Sequence, residues 1–366
     1  MSSTAESRVS SRSAVTAYAI DTKRLHCPFT PGLHAEVEAI QAHAVGWAVA
    51  LGLVVGEHAA VRLDASRVGW LVSRANPEAR RELVEIAADW TTFFCLLDDK
   101  IERLPAPSAV GAYLDEIYAA LTGGPCTRGD SLSGAAHDLS RRLHQIADKP
   151  WRTHFAARNR QLFEAFVLEA EVRAAGGFSE LRDYLPMREV TVGIWVELAL
   201  SELALGIELT TRERAETHQI SRLACNLIGW ANDIFTFEKE RAAGDPNNLV
   251  LVLAKSLGGD LRSALGRAIQ MHDREANELA LHLAQIRLTG SDAAQRYAAT
   301  LGYWVRGHLD WVRETGRYDG CVGDPNGQLG GNSCASTCMR SVCPESGAVQ
   351  PSVKSLSRAS SSASTA

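Results

Sequence analysis

Apolar residues recur at intervals of three and four along most of this chain, which is the spacing of an amphipathic α-helix. No stretch alternates with the period of two that indicates a β-strand. Proline, which rarely occurs inside a helix, is absent from three long intervals, 32–76, 187–245 and 247–324. The pattern therefore predicts an all-α fold, with about eight to twelve helices.

Prolines and capping residues predict the bounds of four long helices, at about 77–104, 150–175, 211–243 and 292–316. The third helix has the clearest start, because Thr210 and Glu213 have the spacing of a capping box. It also has the clearest end, at Gly244 shortly before Pro246. We expect these helices to belong to one all-α domain over residues 25–319.

The two ends differ in composition from this domain. Residues 1–24 are rich in Ser, which predicts a disordered arm; Arg8 and Arg12 leave an organelle transit peptide as the alternative. Residues 320–366 are rich in Gly, Ser and Cys and predict a disordered tail. The four cysteines of this tail could form a zinc site, but their spacing is irregular and no His follows Cys321.

Composition excludes several classes of protein. The chain has 366 residues, 46% hydrophobic and 22% charged, which is ample for a large core. A net charge of −5 without a block of like charges argues against nucleic acid as a partner. The longest apolar run, 44–56, is too short to span a membrane, so no integral membrane association is expected. The remaining four cysteines are scattered, which fits a reduced, cytoplasmic protein.

Three carboxylates follow an apolar run in the stretch FFCLLDDKIE. Asp98 and Glu102 lie one helical turn apart on one face, and Asp99 is offset by about 100°. Carboxylates crowded beside apolar residues repel one another unless a cation compensates, and carboxylate oxygens suit Mg²⁺. A solvated helix end is the alternative reading of this motif.

A second set of oxygen-bearing side chains occurs in NDIFTFEKE. Asn232, Thr236 and Glu240 are spaced by four and therefore align along one helix face. Their neighbours are largely aromatic or aliphatic, and Asn and Thr are mediocre helix formers, so the helix itself has little use for them. A polar surface stripe is the alternative. If the two sets face each other, they would hold Mg²⁺ at the mouth of an apolar cavity, and a prenyl diphosphate would suit such a site.

With two further marks, these motifs resemble those of bacterial-type class I terpene synthases over about residues 25–319. The DDxx(D/E) motif of that family is matched by residues 98–102, and its (N/D)Dxx(S/T)xxxE motif by residues 232–240. An Arg-Tyr pair ends the last helix in the family, and Arg317 and Tyr318 match it. The family also has a diphosphate-sensing Arg before the second motif, and Arg188 lies 44 residues before Asn232.

The resemblance implies a single-domain helical bundle around a central apolar cavity, with three Mg²⁺ ions as cofactor and Mn²⁺ as a substitute. Asp98 resembles the carboxylate that bridges two ions, whereas Asp99 and Glu102 would bind metal mainly through water. The side chains that resemble the ligands of the third ion are Asn232, Thr236 and Glu240. Asp233 resembles a residue that supports these ligands.

The resemblance also implies which residues contact the substrate. Hydrogen bonds to the diphosphate would come from Arg188, Lys239, Arg317 and Tyr318. The helix that carries the sensing Arg breaks a few residues later in the family, and the residues placed for that break are Thr191, Val192 and Gly193. Phe94 and Trp304 match cavity aromatics, with ordinary core packing as the alternative for both.

The sequence thus predicts ionisation of a prenyl diphosphate, most simply farnesyl diphosphate, and cyclisation to a sesquiterpene. Geranyl and geranylgeranyl diphosphate are the alternative substrates, and a homodimer is compatible with the sequence. A chain-elongating prenyltransferase would need a second Asp-rich motif, and a class II cyclase would need a DxDD motif. A Mg²⁺-dependent all-α diphosphohydrolase and a non-catalytic helical binding protein are the alternatives of other classes.

Overall fold

A computed structural model describes residues 25–318 apart from 126 and 179, and within them it contains helices and no strand. The predicted arm, the predicted tail and its cysteines lie outside the described residues. Thirteen α-helices are described, more than the number expected: α1 Val37–Ala50, α2 Glu57–Ala65, α3 Val68–Ala75, α4 Arg81–Ile101, α5 Pro107–Leu121, α6 Ser131–Ile146, α7 Lys149–Ala174, α8 Leu181–Thr191, α9 Ile194–Leu205, α10 Thr211–Ala243, α11 Leu249–Ser256, α12 Leu261–Thr289 and α13 Asp292–Glu314. A short 3₁₀ helix, Gly316–Tyr318, follows α13.

Three of the four predicted long helices are confirmed because local capping fixes their ends. Asp148 caps α7 by accepting a hydrogen bond from the backbone N–H of Trp151. Thr210 and Glu213 form the complete capping box of α10, which ends at Gly244 in the left-handed conformation. Ser291 caps α13, which ends two residues before the expected position.

The predicted start of α4 at Pro77 is wrong, since the helix begins at Arg81 and ends at Ile101. Asn76 is instead the C-cap of α3, and its side-chain amide donates to the carbonyl of Val72 at 3.0 Å. Pro186 also departs from expectation, because it lies inside α8.

Helix α9 lies in the centre of the bundle, and ten of its twelve residues are buried. It packs against α4, α7, α10 and α13. Helix α13 also packs against α3 and α10, and α12 covers α10 and α11. Among the described residues, no helix combines the length and apolar character that crossing a membrane requires.

The break between α8 and α9 lies where the sequence predicted it. Helix α8 ends at Thr191, Val192 is its C-cap, and Gly193 has a φ of 80° that favours glycine. A Cβ on Gly193 would lie 2.9 Å from the ring carbon Cζ of Phe94. Gly193 therefore allows both the turn of the backbone and the close approach of the Phe94 ring on α4.

Substituting Gly193→Ala should destabilise the protein more than Gly206→Ala, which serves as the matched control at the other end of α9. Gly206 also has a positive φ, of 61°, but a Cβ there would meet nothing within 4 Å. Backbone strain should cost both variants about 1–2 kcal/mol, and overpacking against Phe94 should add about 1–3 kcal/mol at Gly193 alone. Urea denaturation measures both losses, and Phe94→Leu should restore part of the stability of Gly193→Ala. Equal losses in the two variants would contradict the proposed contact.

Candidate active site

The last turns of α4 present the first predicted set of carboxylates. Asp98 and Asp99 are half-buried, and Glu102 is the exposed C-cap of the helix. Asp98 and Glu102 line a small pocket, together with Ile101 of the same helix, Val110 of α5 and residues of α7. These two carboxylates therefore share one face, as the spacing predicted, at the end of the bundle where α4 terminates.

The 3₁₀ helix that follows α13 brings Arg317 to the same end. One of its Nη nitrogens lies 3.5 Å from Oδ1 of Asp99, and its backbone N–H donates to Oγ1 of Thr315. The other oxygen of Asp99, Oδ2, is buried and has no hydrogen-bond partner among the described residues. The Arg-Tyr pair thus lies beside the aspartate-rich motif, although the side chain of Tyr318 lies outside the described residues.

The second predicted set lies on the C-terminal half of α10. Thr236 is buried, and Asn232 and Glu240 are half-buried. The hydroxyl of Thr236 lies 2.8 Å from the backbone carbonyl of Asn232, and Oε2 of Glu240 accepts a hydrogen bond from the side-chain amide of Asn248 at 2.8 Å. The four-residue spacing therefore produces the expected column. Lys239 is exposed one residue before its end.

Asp233 holds three helices together beneath this column. Its Oδ1 accepts a hydrogen bond from Nε of Arg188 on α8 at 2.9 Å. Its Oδ2 accepts from the hydroxyl of Tyr184, also on α8, and from the backbone N–H of Leu249 at the start of α11, at 3.0 Å. Asp233 is 1% exposed, so it holds Arg188 beside the column of α10 from inside the fold.

Arg188 is directed at Asn232, the first residue of the column of α10, by this bond. Its Nη2 donates to Oδ1 of Asn232 at 3.0 Å and lies 3.4 Å from the carbonyl of Gly229. Burial lowers the pKa of Arg188, but the charge of Asp233 outweighs burial and the pKa is raised. A permanent positive charge therefore lies beside the first residue of the second motif.

Glu169 and Arg173 of α7, which the sequence did not single out, connect the pocket of the first motif to the loop after α10. The Nε atom of Arg173 donates to Oδ2 of Asp245, just after α10, at 3.1 Å. One of its Nη nitrogens is 3.9 Å from Oε1 of Glu169, and both residues line the pocket of Asp98 and Glu102. A Glu–Arg pair at i,i+4 near a helix end was the available signal, but it is typical of many solvated helix faces.

The carboxylates of this region are crowded enough to retain protons near neutral pH. Burial, with the charge of Asp99, raises the pKa of Asp98 to about 7. Desolvation among its neighbours, with the charge of Asp98, raises the pKa of Glu102 to about 7. Burial, with the charge of Asp233, also raises the pKa of Glu240 to about 7, against the hydrogen bond from Asn248. Such clustering is the environment in which a divalent cation would favour the ionised forms.

The two predicted cavity aromatics, Phe94 and Trp304, lie below this end of the bundle. Phe94 stacks between Trp90 and Phe166, with ring centroids 5.3 and 6.0 Å apart. Trp304 is 1% exposed, and its indole N–H donates to Oγ of Ser201 at 3.0 Å.

The end of α8 packs directly on α10. A Cβ on Gly229 would lie 3.6 Å from both Arg188 Cγ and Val192 Cβ. The hydroxyl of Thr191 is buried there and has no partner among the described residues. The helix break therefore lies beside the column of α10, and the side chains of Arg188 and Val192 form the contact.

The donor set fits a hard cation that also takes oxygen from water or from a ligand. Within the described ranges, no three His, Cys, Asp or Glu side chains converge closely enough to hold an ion by themselves. The column of α10 supplies an amide, a hydroxyl and one carboxylate, and Oδ2 of Asp99 is a buried oxygen without a donor. Mg²⁺ suits this arrangement, since it is commonly bound by one or two carboxylates and completed by waters and phosphates.

Comparison with known proteins identifies the class of this fold. The structure of α-eudesmol synthase superposes with a TM-score of 0.70 at 22% identity, covering 80% of this chain and 99% of that chain. This likeness shows the all-α fold of class I terpene synthases.

The profile described as terpene synthase family 2, C-terminal metal binding, matches residues 89–278. Germacrene A synthase from Nostoc punctiforme is 28% identical over 80% of this chain and 94% of its own length. The (+)-T-muurolol synthase from Roseiflexus castenholzii is 29% identical over 81% of this chain and 93% of its own length. The chain belongs to terpene synthase family 2, and it is therefore an enzyme of the carbon–oxygen lyase class.

Substituting Asp233→Asn should destabilise the protein by about 3 kcal/mol, because Arg188 would lose its buried counter-charge. Tyr184→Phe is the matched control, since it removes one hydrogen bond to the same carboxylate and should cost about 1 kcal/mol. Urea denaturation measures both losses. A loss for Asp233→Asn no larger than that for Tyr184→Phe would show that Asp233 does not hold the charge of Arg188.

Proposed function

We propose that this enzyme is a Mg²⁺-dependent sesquiterpene synthase that ionises farnesyl diphosphate, releases diphosphate and cyclises the resulting carbocation. The observation that carries the proposal is the oxygen column of α10 with the half-buried Arg188 bonded to its first member. The (+)-T-muurolol synthase from Roseiflexus castenholzii is named as an enzyme that cyclises (2E,6E)-farnesyl diphosphate. Substrates with ten or twenty carbons are the alternatives within the same chemistry.

Asp98 would hold Mg²⁺ from α4, and from α10 the ligands would be Asn232, Thr236 and Glu240. Asp99 and Glu102 would bind through water. When bound, a set of about three ions would neutralise the diphosphate and make it a better leaving group, and Mn²⁺ would serve in their place. The hydroxyl of Thr236 can direct its proton to the carbonyl of Asn232, which leaves its lone pairs for a cation.

The basic residues at this end of the bundle would bind the diphosphate. Arg188 offers a planar fork held by Asp233, and Arg317 reaches the rim from the end of α13. Lys239 and Tyr318 complete the predicted donors. Hydrogen bonds aimed at the departing anion stabilise the charge that develops as the C–O bond breaks.

The apolar interior would protect the carbocation from water. Phe94 packs on Gly193 at the helix break, and the backbone carbonyls of Thr191 and Val192 at this break are the groups expected to face the substrate. Phe94 and Trp304 present ring faces, which stabilise cations by about 1–2 kcal/mol when desolvated. Both aromatics are part of the main core of the bundle.

Incubation of the purified protein with Mg²⁺ and farnesyl diphosphate should release diphosphate and yield a sesquiterpene that gas chromatography and mass spectrometry identify. Glu240→Gln and Asn232→Ala should each lower kcat/KM by at least about 100-fold, since each removes a ligand of the metal. Glu238→Gln is the matched control for Glu240→Gln, because it makes the same change two positions away, on another face of α10. Full activity of both ligand variants, with the fold retained, would disprove the role of the column.

The same incubation separates the alternative activities. A longer prenyl diphosphate formed with isopentenyl diphosphate would identify a chain-elongating enzyme. Phosphate released from nucleotides would identify a diphosphohydrolase. A product from geranyl or geranylgeranyl diphosphate alone would reassign the substrate without changing the reaction.

The crowded carboxylates predict opposite effects of pH with and without Mg²⁺. Asp98, Glu102 and Glu240 have raised pKa values of about 7 in the folded protein, so the folded state binds more protons than the unfolded state. Without divalent cations, the free energy of unfolding should therefore fall as pH rises from about 5 to 8. Affinity for Mg²⁺ should rise over the same range, with release of protons.

Urea denaturation in EDTA measures the first effect, and calorimetry in two buffers of different ionisation enthalpy measures the second. Glu240→Gln should reduce the number of protons released, whereas Glu238→Gln should not. A metal-free stability that rises over this range would contradict the prediction.

A further inference from the structure

The interior of the bundle also contains a carboxyl group that belongs to neither predicted motif. Glu197 lies on α9 and is 3% exposed. It follows Gly193 by four residues and precedes Ser201 by four, so the three positions share one face of the helix. Gly193 faces Phe94, Glu197 contacts Thr91 on α4, and Ser201 contacts Trp304 on α13. Glu197 therefore lies between the levels of the two predicted cavity aromatics.

The depth of Glu197 follows from its partner on α4. Thr91 precedes Asp98 by seven residues on the same face of α4, which is about two turns or 10 Å along the helix. Helix α9 runs antiparallel to α4 here, since Gly193 meets Phe94 and the later Glu197 meets the earlier Thr91. The carboxyl group is thus located below the carboxylates of the mouth, at the level where the hydrocarbon chain of a prenyl diphosphate would lie.

The hydrogen bonds of Thr91 indicate that Glu197 is a neutral acid. Oγ1 of Thr91 lies 2.8 Å from the backbone carbonyl of Ala87 and also contacts Oε1 of Glu197. A hydroxyl has one proton and a carbonyl has none, so both contacts are satisfied only if Glu197 donates to Thr91. Burial raises the pKa of Glu197 to about 8, which also favours the neutral acid.

The other oxygen of Glu197 has no structural use in the described part of the chain. Oε2 is buried, and no hydrogen-bond donor reaches it. The opposite face of α9 shows the contrast, because Glu202 forms two bonds with the guanidinium of Arg214, at 3.0 and 2.5 Å. A buried carboxyl with one oxygen unused is available to a molecule that enters the interior.

We propose that Glu197 is the proton-transfer group of the terpene cavity, protonating a neutral cyclic olefin formed early in the reaction and recovering a proton from the final carbocation. The inference rests on the proposed function. In the first step the O–H bond of Glu197 breaks, the π pair of the olefin forms a new C–H bond, and a carbocation and a carboxylate result. In the second step a C–H bond beside the last cationic carbon breaks, its electron pair forms the C=C bond, and the proton returns to the carboxylate.

The neutral form of Glu197 is what allows the first ionisation to proceed cleanly. An ionised carboxylate beside the chain could capture the allylic cation as an ester, whereas a neutral acid is a much weaker nucleophile. The acid becomes a base only after it has transferred its proton. The residue therefore ends each turnover in the state in which it began. The hydrocarbon loses one proton to the departing diphosphate when the neutral olefin forms, gains one proton from Glu197, and returns one proton to Glu197 at the end.

A single turnover in D₂O tests the proposal, with enzyme in excess over farnesyl diphosphate and Mg²⁺ present. The wild-type enzyme, equilibrated in D₂O beforehand, should give a bicyclic product that carries one deuterium. Glu197→Gln keeps the size and hydrogen bonding of the side chain but has no transferable proton. It should release diphosphate at a rate within about threefold of the wild type and accumulate a monocyclic olefin without deuterium.

Two further variants separate proton transfer from packing. Glu197→Asp keeps the acid and should restore part of the deuterated bicyclic product, which a purely structural role would not predict. Glu202→Gln makes the control substitution on the other face of α9 and should leave the deuterium content unchanged. Circular dichroism and thermal unfolding establish that each variant is folded.

The outcomes are distinct. A wild-type product without deuterium overturns the proposal by itself, whether or not Glu197→Gln folds. An unchanged, equally deuterated product from folded Glu197→Gln also overturns it, as does loss of diphosphate release in that variant, which would place Glu197 in the ionisation step. No diphosphate release by the wild type overturns the proposed function itself.

Discussion

The pair formed by the buried Asp233 and the half-buried Arg188 is the interaction on which the site depends. Two opposite charges taken out of water are tolerated only when hydrogen bonds satisfy their remaining lone pairs and protons. Here the carboxylate accepts bonds from Arg188, from Tyr184 and from the backbone of Leu249, and the guanidinium continues to Asn232. The same pair therefore joins α8, α10 and α11 and points a permanent cation at the predicted metal ligands.

The charges at the mouth are arranged with little neutralisation on the α4 side and more on the α10 side. Asp98 and Glu102 repel each other in a pocket that Arg173 also lines, and that arginine is shared with Asp245 and Glu169. Such a cluster holds protons in the absence of metal and exchanges them for a divalent ion. The apolar interior begins at Phe94, one turn of α4 below Asp98. The charged mouth and the apolar interior are therefore separated by a single helical turn.

Features governed by local chemistry could be predicted from the sequence. Helices α7 and α10 were placed almost to the residue because Asp148 and the pair Thr210–Glu213 satisfy the first N–H groups of their own helices. The helix break at Gly193 followed from the resemblance, and the column of α10 followed from its spacing. The start of α4 was misplaced because Asn76 bonds backward to α3, and an N-cap and a C-cap asparagine look alike in sequence.

Contacts between residues that lie far apart in the sequence could not be predicted from it. Nothing in the sequence pairs Arg188 with Asp233, which lies 45 residues later. Glu169 and Arg173 looked like an ordinary i,i+4 pair, and their role comes from the loop that brings Asp245 to them. Glu197 did leave a trace, a single carboxyl near the start of the apolar stretch of α9, but only the contact with Thr91 gives it a direction.

The cap of α11 has a consequence for how the mouth would respond to a ligand. The side-chain amide of Asn248 donates both to Glu240 and to the backbone carbonyl of Asp233, while its oxygen caps the first turn of α11. If Glu240 turns toward an incoming ion, this amide loses an acceptor in a place without water, at a cost of about 1–3 kcal/mol. The first turn of α11 must then adjust with it. Asn248 would thereby couple the binding of an ion at the mouth to the position of α11, a helix that itself contacts no ligand.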